Sequence, residues 1–140
     1  MASAVKYEVF SQNLAEGVHN LNTGTIKIAL TNSAPNAATH TTLSDVTQIS
    51  NGNGYTTGGD DAQNDTSRSG GTTTVTAVDV VWTASGSVGP FRYVVAYNDT
   101  PTSPADPLIG WWDYGSSISL ASGDTLTVDL DQTNGLFTVT

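Results

Sequence analysis

Phe91-Arg92-Tyr93-Val94-Val95-Ala96-Tyr97 (residues 91–97) is the stretch whose reading decides the fold. Phe91, Tyr93, Val95 and Tyr97 alternate with Arg92, Val94 and Ala96, and a period of two belongs to a β-strand. Both alternating sets are largely apolar. A strand with water on one face carries one apolar set, so two sets predict a central strand covered on both sides. A second layer is expected to supply that cover, and a neighbouring subunit is expected to supply it if the monomer has too few layers.

Outward from this stretch the pattern stays β. Thr25-Ile26-Lys27-Ile28-Ala29-Leu30 alternates cleanly, with Ile26, Ile28 and Leu30 expected inward. Thr72 to Trp82 predicts another strand. There Val78, Val80 and Trp82 are expected on one face, and a bulge near Ala77 is expected to bring Val75 into phase. Leu108 to Tyr114, then Ile118 with Leu120, then Leu126, Val128 and Leu130, then Leu136 to Thr140 complete the strands. Ala121-Ser122-Gly123-Asp124 reads as a hairpin-type connection, and Asn134-Gly135 is the strongest turn signal. About seven strands without βαβ alternation predict an all-β chain. The expected architecture is a β-sandwich of jelly-roll or immunoglobulin-like type with one N-terminal helix.

That helix is expected over residues 7–21. Tyr7, Phe10, Leu14 and Val18 fall at steps of three and four, Leu21 extends the stripe, and Ser3 is a candidate cap. The helix either covers an opening of the β core or docks onto a neighbouring subunit. Residues 1–6 are expected to form an arm. Asn32 to His40 reads as loop, and Leu43, Val46 and Ile49 suggest a short helical turn. Residues 51–71 are rich in Asn, Gly and Asp, with Tyr55 as the single large apolar residue, and read as one long polar loop. A short edge strand is expected within it near Tyr55 to Gly59. Long structureless loops are uncommon in compact domains and are usually functional or mobile.

Composition narrows the function. The 140 residues fit one domain, of which 37% are hydrophobic and only 12% charged. The formal net charge is −9, and Lys6, Lys27, Arg68 and Arg92 are the only Lys and Arg. Phosphate binding needs several such residues together, so no nucleic-acid partner and no polybasic membrane contact are expected. An acidic surface favours a basic partner. Cysteine is absent, which removes disulfides and thiolate metal sites. The first ten residues lack signal-peptide character, and no run reaches the length of a membrane span, so a cytosolic product is expected.

The chemistry-bearing residues lack catalytic spacing. His19 and His40 have no second ligand at i+4, and neither a Gly-x-Ser-x-Gly elbow nor a Walker loop occurs. Asp113, beside Trp111, Trp112 and Tyr114, is a candidate sugar-site acid, with Asp99 or Asp79 as a second carboxylate. Asp60, Asp61 and Asp65 offer calcium-type oxygen ligands but without EF-hand spacing, so a solvated loop is the expected reading and a calcium site the alternative. No cofactor or metal is expected. In a strand Trp111 and Trp112 must face opposite sides. They are read as core, as interface or as ligand platform. The candidate interface therefore comprises Tyr55, Asp60, Asp61, Asp65 and Arg68, together with Trp111, Trp112 and Tyr114.

Several segments carry a family likeness. They are Leu14-Ala15-Glu16-Gly17-Val18-His19-Asn20-Leu21, Ile26 to Asn32, and Gly52-Asn53-Gly54-Tyr55. To these add Gly89-Pro90-Phe91-Arg92-Tyr93, Tyr97-Asn98-Asp99, Pro107 to Gly115, and Thr133-Asn134-Gly135. Together, over nearly the whole chain, they resemble a family of small structural proteins of tailed bacteriophages. The resemblance implies a virion protein without catalytic residues, made in the host cytoplasm. Its first expectation is a capsid decoration (cement) protein on the capsid surface, bound to the major capsid protein and assembled as a homotrimer. The second is a tail, baseplate or fibre component that touches host glycans. Independently of the resemblance, a carbohydrate-binding module outside any virion is a third reading.

Overall fold

The computed structural model of the chain describes residues 4–140. In chain order its elements are β1 (Val5–Lys6), α1 (Glu8–Ala15), β2 (Ile26–Thr31), β3 (Asp60–Asp61), β4 (Asp65–Ser69) and β5 (Thr72–Thr76). There follow β6 (Val80–Thr83), β7 (Val88–Asn98), β8 (Leu108–Leu120), β9 (Thr125–Val128) and β10 (Phe137–Val139), with one 3-10 turn at Leu43–Asp45. The strands form a five-stranded sheet of order β1-β8-β7-β2-β3, a three-stranded sheet β10-β5-β4 and a two-stranded sheet β6-β9, every pairing antiparallel. The chain is all-β and sandwich-like, with one short helix.

The main core lies between the large sheet and the two small ones. Ile26, Ile28, Leu30, Ala96 and Trp112 from the large sheet meet Val75, Val80, Trp82, Val128 and Leu130 from the others. Ile26, Ile28 and Leu30 are each fully buried, as the alternation of β2 predicts. The stretch at 91–97 is indeed central, since β7 lies between β8 and β2. Its second face is covered by the same chain. Val95 and Tyr97 pack with Tyr7, Leu43 and Leu108 in a second cluster, flanked by Val9, Val46 and Trp111. No other subunit is needed for that cover, which removes the strand's two apolar faces as a reason for assembly.

One face assignment is corrected. Phe91 joins the main core, whereas Val95 and Tyr97 face the second cluster. The β7–β8 register shifts between Phe91 and Tyr93, and one extra residue in a pairing reverses the faces beyond it. A second shift, between Ala96 and Tyr97, explains why Ile109 and Trp112 enter the main core while Leu108 and Trp111 enter the other cluster. Trp111 and Trp112 therefore do face opposite sides.

The helix is shorter than its apolar stripe. It ends at Ala15, and Gly17 adopts φ +77° just beyond, a conformation glycine reaches without a Cβ penalty. Val18 and Leu21 lie past the end, yet Leu21 is buried, so the stripe reports burial and not helix. The N-cap position is Tyr7, and Ser3 lies outside the described residues. Phe10 enters the main core and meets Phe137 of β10 at 5.4 Å between ring centroids. The helix thus covers the sandwich opening between β8 and β10. Part of the expected arm is structured, because Val5 and Lys6 pair with Trp111 and Gly110.

Residues 51–71 are not one loop. They contain a turn at 52–55, then β3 along β2, then β4 in a hairpin with β5. The edge strand expected at Tyr55 to Gly59 lies instead at Asp60–Asp61. The Asp, Ser, Thr and Arg side chains of β3 and β4 are mostly exposed, so no apolar alternation marks these strands. Between β5 and β6 the chain leaves one small sheet for the other in place of a simple bulge. Val75 and Val80 are buried, but Val78 in the break is exposed. Ala121–Asp124 also crosses between sheets, since β9 pairs with β6 and not with β8. The turn at Asn134-Gly135 leads into β10, which pairs with β5.

Candidate interface

The two halves of the candidate interface do not meet. Trp111, Trp112 and Tyr114 lie on β8, whereas Asp60 and Asp61 form β3 at the far edge of the same sheet. Three strand spacings separate β8 from β3, about 14 Å. Asp65 and Arg68 belong to β4, the edge of the three-stranded sheet.

Tyr55 is corrected from interface to core. It is 1% exposed, and its ring lies 5.7 Å from that of Trp82. Its hydroxyl accepts the Leu30 N–H at 3.1 Å and donates to Gln48 Oε1 at 3.2 Å. The turn at 52–55 folds the ring inward, because burying an aromatic of that size outweighs leaving it among polar neighbours. Trp112 is also chiefly a core residue, 8% exposed. Trp111 is half-buried, its ring 4.7 Å from that of Tyr7. Tyr114 alone of the three aromatics is open, 63% exposed.

The charged candidates are exposed and locally held. Asp61 Oδ1 accepts the Gln63 N–H at 2.7 Å, and Asp65 Oδ1 accepts the Thr66 N–H at 2.7 Å. Arg68 Nη1 donates to the Gly70 carbonyl at 2.9 Å. Among the described residues no group of three or more His, Asp or Glu side chains is placed to hold a metal ion.

Three further titratable side chains, His19, Asp113 and Asp79, are hydrogen-bonded within the fold. His19 is buried beside Phe10, and Asn98 Nδ2–H donates to its Nδ1 at 3.2 Å. Burial lowers the His19 pKa to about 4, and protonating Nδ1 would set two donors face to face. Asp113 accepts from Arg92 at 2.8 and 3.1 Å and from the Gly115 N–H at 2.8 Å. These bonds hold its carboxyl below the usual carboxylate range, the Arg92 bonds foremost. A glycosidase acid needs its pKa raised, so Asp113 is poorly suited to that role. Asp79 accepts the Leu130 N–H at 2.8 Å, a structural task that ties β6 to the end of β9.

Trp112 lies in the wall of two concavities. The first, about 410 Å³, is apolar and lies among α1, β1, β8 and β10, lined by Val5, Phe10, Leu14, Leu136, Phe137 and Val139. The second, about 420 Å³, lies between β8 and β9, with Val94, Tyr114, Thr127 and Asp129 on its walls. The sequence marks Phe137 and Val139 as strand residues but not as an edge, so the first cavity was not foreseeable from periodicity. No family model, no curated protein and no solved structure matches the chain.

Proposed function

We propose that this chain is a non-enzymatic structural protein of a tailed-bacteriophage virion, a capsid decoration protein that binds the assembled head shell and stabilises it. The observation that carries the non-enzymatic part is the occupation of its reactive groups: His19 is in the core, and Asp113 is in a bidentate ion pair. The phage assignment rests on the sequence resemblance. A rigid sandwich with edges of exposed Asp60, Asp61 and Asp65 suits attachment to a basic patch of the major capsid protein. The proposed working form is a homotrimer, which would add avidity on a shell with repeated sites.

Reconstruction of the parent particle by electron cryomicroscopy tests this reading. Density for the chain on the head shell is the expected result, and density on the tail alone would overturn it. The second reading, a tail or fibre component that contacts host glycans, is favoured by one feature, the cavity with Trp112, Tyr114, Thr127 and Asp129. The exposed ring of Tyr114 and the exposed Asp129 carboxylate suit sugar rings and hydroxyls. On that reading a glycan array gives binding that Tyr114→Ala abolishes without unfolding the protein.

A further inference from the structure

Residues 9–19, most of α1 and the turn after it, are tied to the sandwich at their two ends. Before them the Glu8 N–H donates to the Ala37 carbonyl at 3.0 Å. After them Asn64 Nδ2–H donates to the Leu21 carbonyl at 2.7 Å. Between these points, among the described residues, one hydrogen bond joins the segment to a distant part of the chain: Asn98 Nδ2–H to His19 Nδ1, at 3.2 Å. The other bonds of residues 9–19 stay within the segment or reach Tyr7 and Glu8 beside it.

That bond accepts one protonation state of the ring. Asn98 Oδ1 takes the Thr100 N–H at 3.1 Å, which leaves Nδ2 for the imidazole. Turning the amide over would bring Nδ2–H against the Thr100 N–H. Gly24 confines it further, since an added Cβ there would lie 3.1 Å from both amide atoms. His19 therefore carries its proton on Nε2, and a second proton on Nδ1 breaks the bond. The segment has other weaknesses. His19 Nε2 and Asn13 Nδ2 are buried without a partner, and release to water would satisfy both. α1 has eight residues and no side-chain bond at its N-cap, so it is not stable once detached. No charged neighbour contributes to the titration of His19; burial alone lowers its pKa to about 4. Glu8 and Glu16 of α1 are exposed, Arg92 of β7 pairs with Asp113, and Asp99 beyond β7 pairs with Lys27. The Tyr93 ring lies under Arg92, and the Tyr97 hydroxyl donates to the Gly58 carbonyl.

We propose that the Asn98–His19 hydrogen bond is an acid-operated latch: protonation of His19 frees residues 9–19 from the sandwich while the sheets stay folded. The inference does not depend on what the chain binds. The sheets do not need the latch, because β2, β7 and β8 are joined by their own backbone ladders. The opening stops at Leu21, where the chain is anchored separately. Asn64 Nδ2 also reaches the Gly24 carbonyl, the Thr25 N–H donates to Thr100 Oγ1, and the Ile26 N–H donates to Asn64 Oδ1. Local openings of this kind precede global unfolding where few bonds hold a segment.

Amide hydrogen exchange of the full chain, followed by NMR at pH 7 and pH 4 and corrected for intrinsic rates, tests this. Protection at Glu16, Gly17 and Val18, whose N–H groups are bonded within the segment, should fall about a hundredfold between the two pH values. At pH 4 it should lie at least tenfold below that of β2 and β7 and respond only weakly to urea, while the cross-peaks of β2 and β7 keep their dispersion. His19→Gln keeps an acceptor for Asn98 but cannot titrate, so its protection should change less than threefold. Asn98→Asp offers the imidazolium an acceptor and should also suppress the acid opening. Exchange in residues 9–19 with the level and urea dependence of β2 and β7 would show global unfolding and overturn the latch. Unchanged protection at pH 4, or an equal fall in H19Q, would overturn it as well.

Discussion

Tyr55 is where a single residue departs furthest from its sequence setting. Its neighbours are Gly, Asn and Thr, yet its hydroxyl joins the N–H of Leu30 to Gln48 inside the core. Tyr55→Phe leaves the Leu30 amide buried without its acceptor, so unfolding in urea should show a loss of about 1–3 kcal/mol. His19 supplies the pH dependence. Its folded pKa, about 4, lies below the ordinary histidine value, so the unfolded chain binds the extra proton. The stabilisation is full above about pH 6.5 and is lost as pH falls toward 4, by about 3 kcal/mol in total. Urea titrations across that range should show this slope, and His19→Leu should flatten it. Asp113 and Asp45, whose pKa values are lowered by their hydrogen bonds, act in the same direction but at lower pH.

At the scale of elements, the pairing of β2 with β3 depends on Gly59. Its φ is +72°, and a Cβ there would overlap the carbonyl oxygen of Ile28. Gly17 also has positive φ but open space around it. Gly17→Ala should therefore cost about 1–2 kcal/mol of conformational strain alone. Gly59→Ala should cost more and should raise hydrogen exchange at Asp60 and Asp61, because the backbone must move. The elements with apolar alternation, β2 and β9, were legible in the sequence. β3 and β4 were not, because they lie at sheet edges and show water a polar surface on most of their residues. The boundary between β5 and β6 was half legible: Val75 fell out of phase with Val80, but phase alone does not reveal a change of sheet.

For the whole molecule, the acid excess sets the response to salt. Thirteen Asp and Glu against four Lys and Arg repel one another more in the compact state than in the expanded one. Raising the ionic strength from roughly 0.01 to 0.15 M shortens the screening length from about 30 to 8 Å. The melting temperature should rise with it in calorimetry, and a fall would show that attractive pairs such as Lys27–Asp99 dominate.

What the sequence determined by itself was the class of the fold and the centre of its main sheet. A period of two needs only the local geometry of the strand, and two apolar faces at 91–97 needed cover wherever it came from. What covers the second face was decided by tertiary structure alone: Tyr7, Leu43 and Val46, brought from distant segments to Val95 and Tyr97. So was the division of the candidate residues, since which strands become neighbours depends on the sum of all pairings. The same cause put Tyr55 in the core and β10 at the edge of its sheet. Periodicity reports that a residue is buried or exposed on its own strand, but it carries no information about the strand that lies beside it.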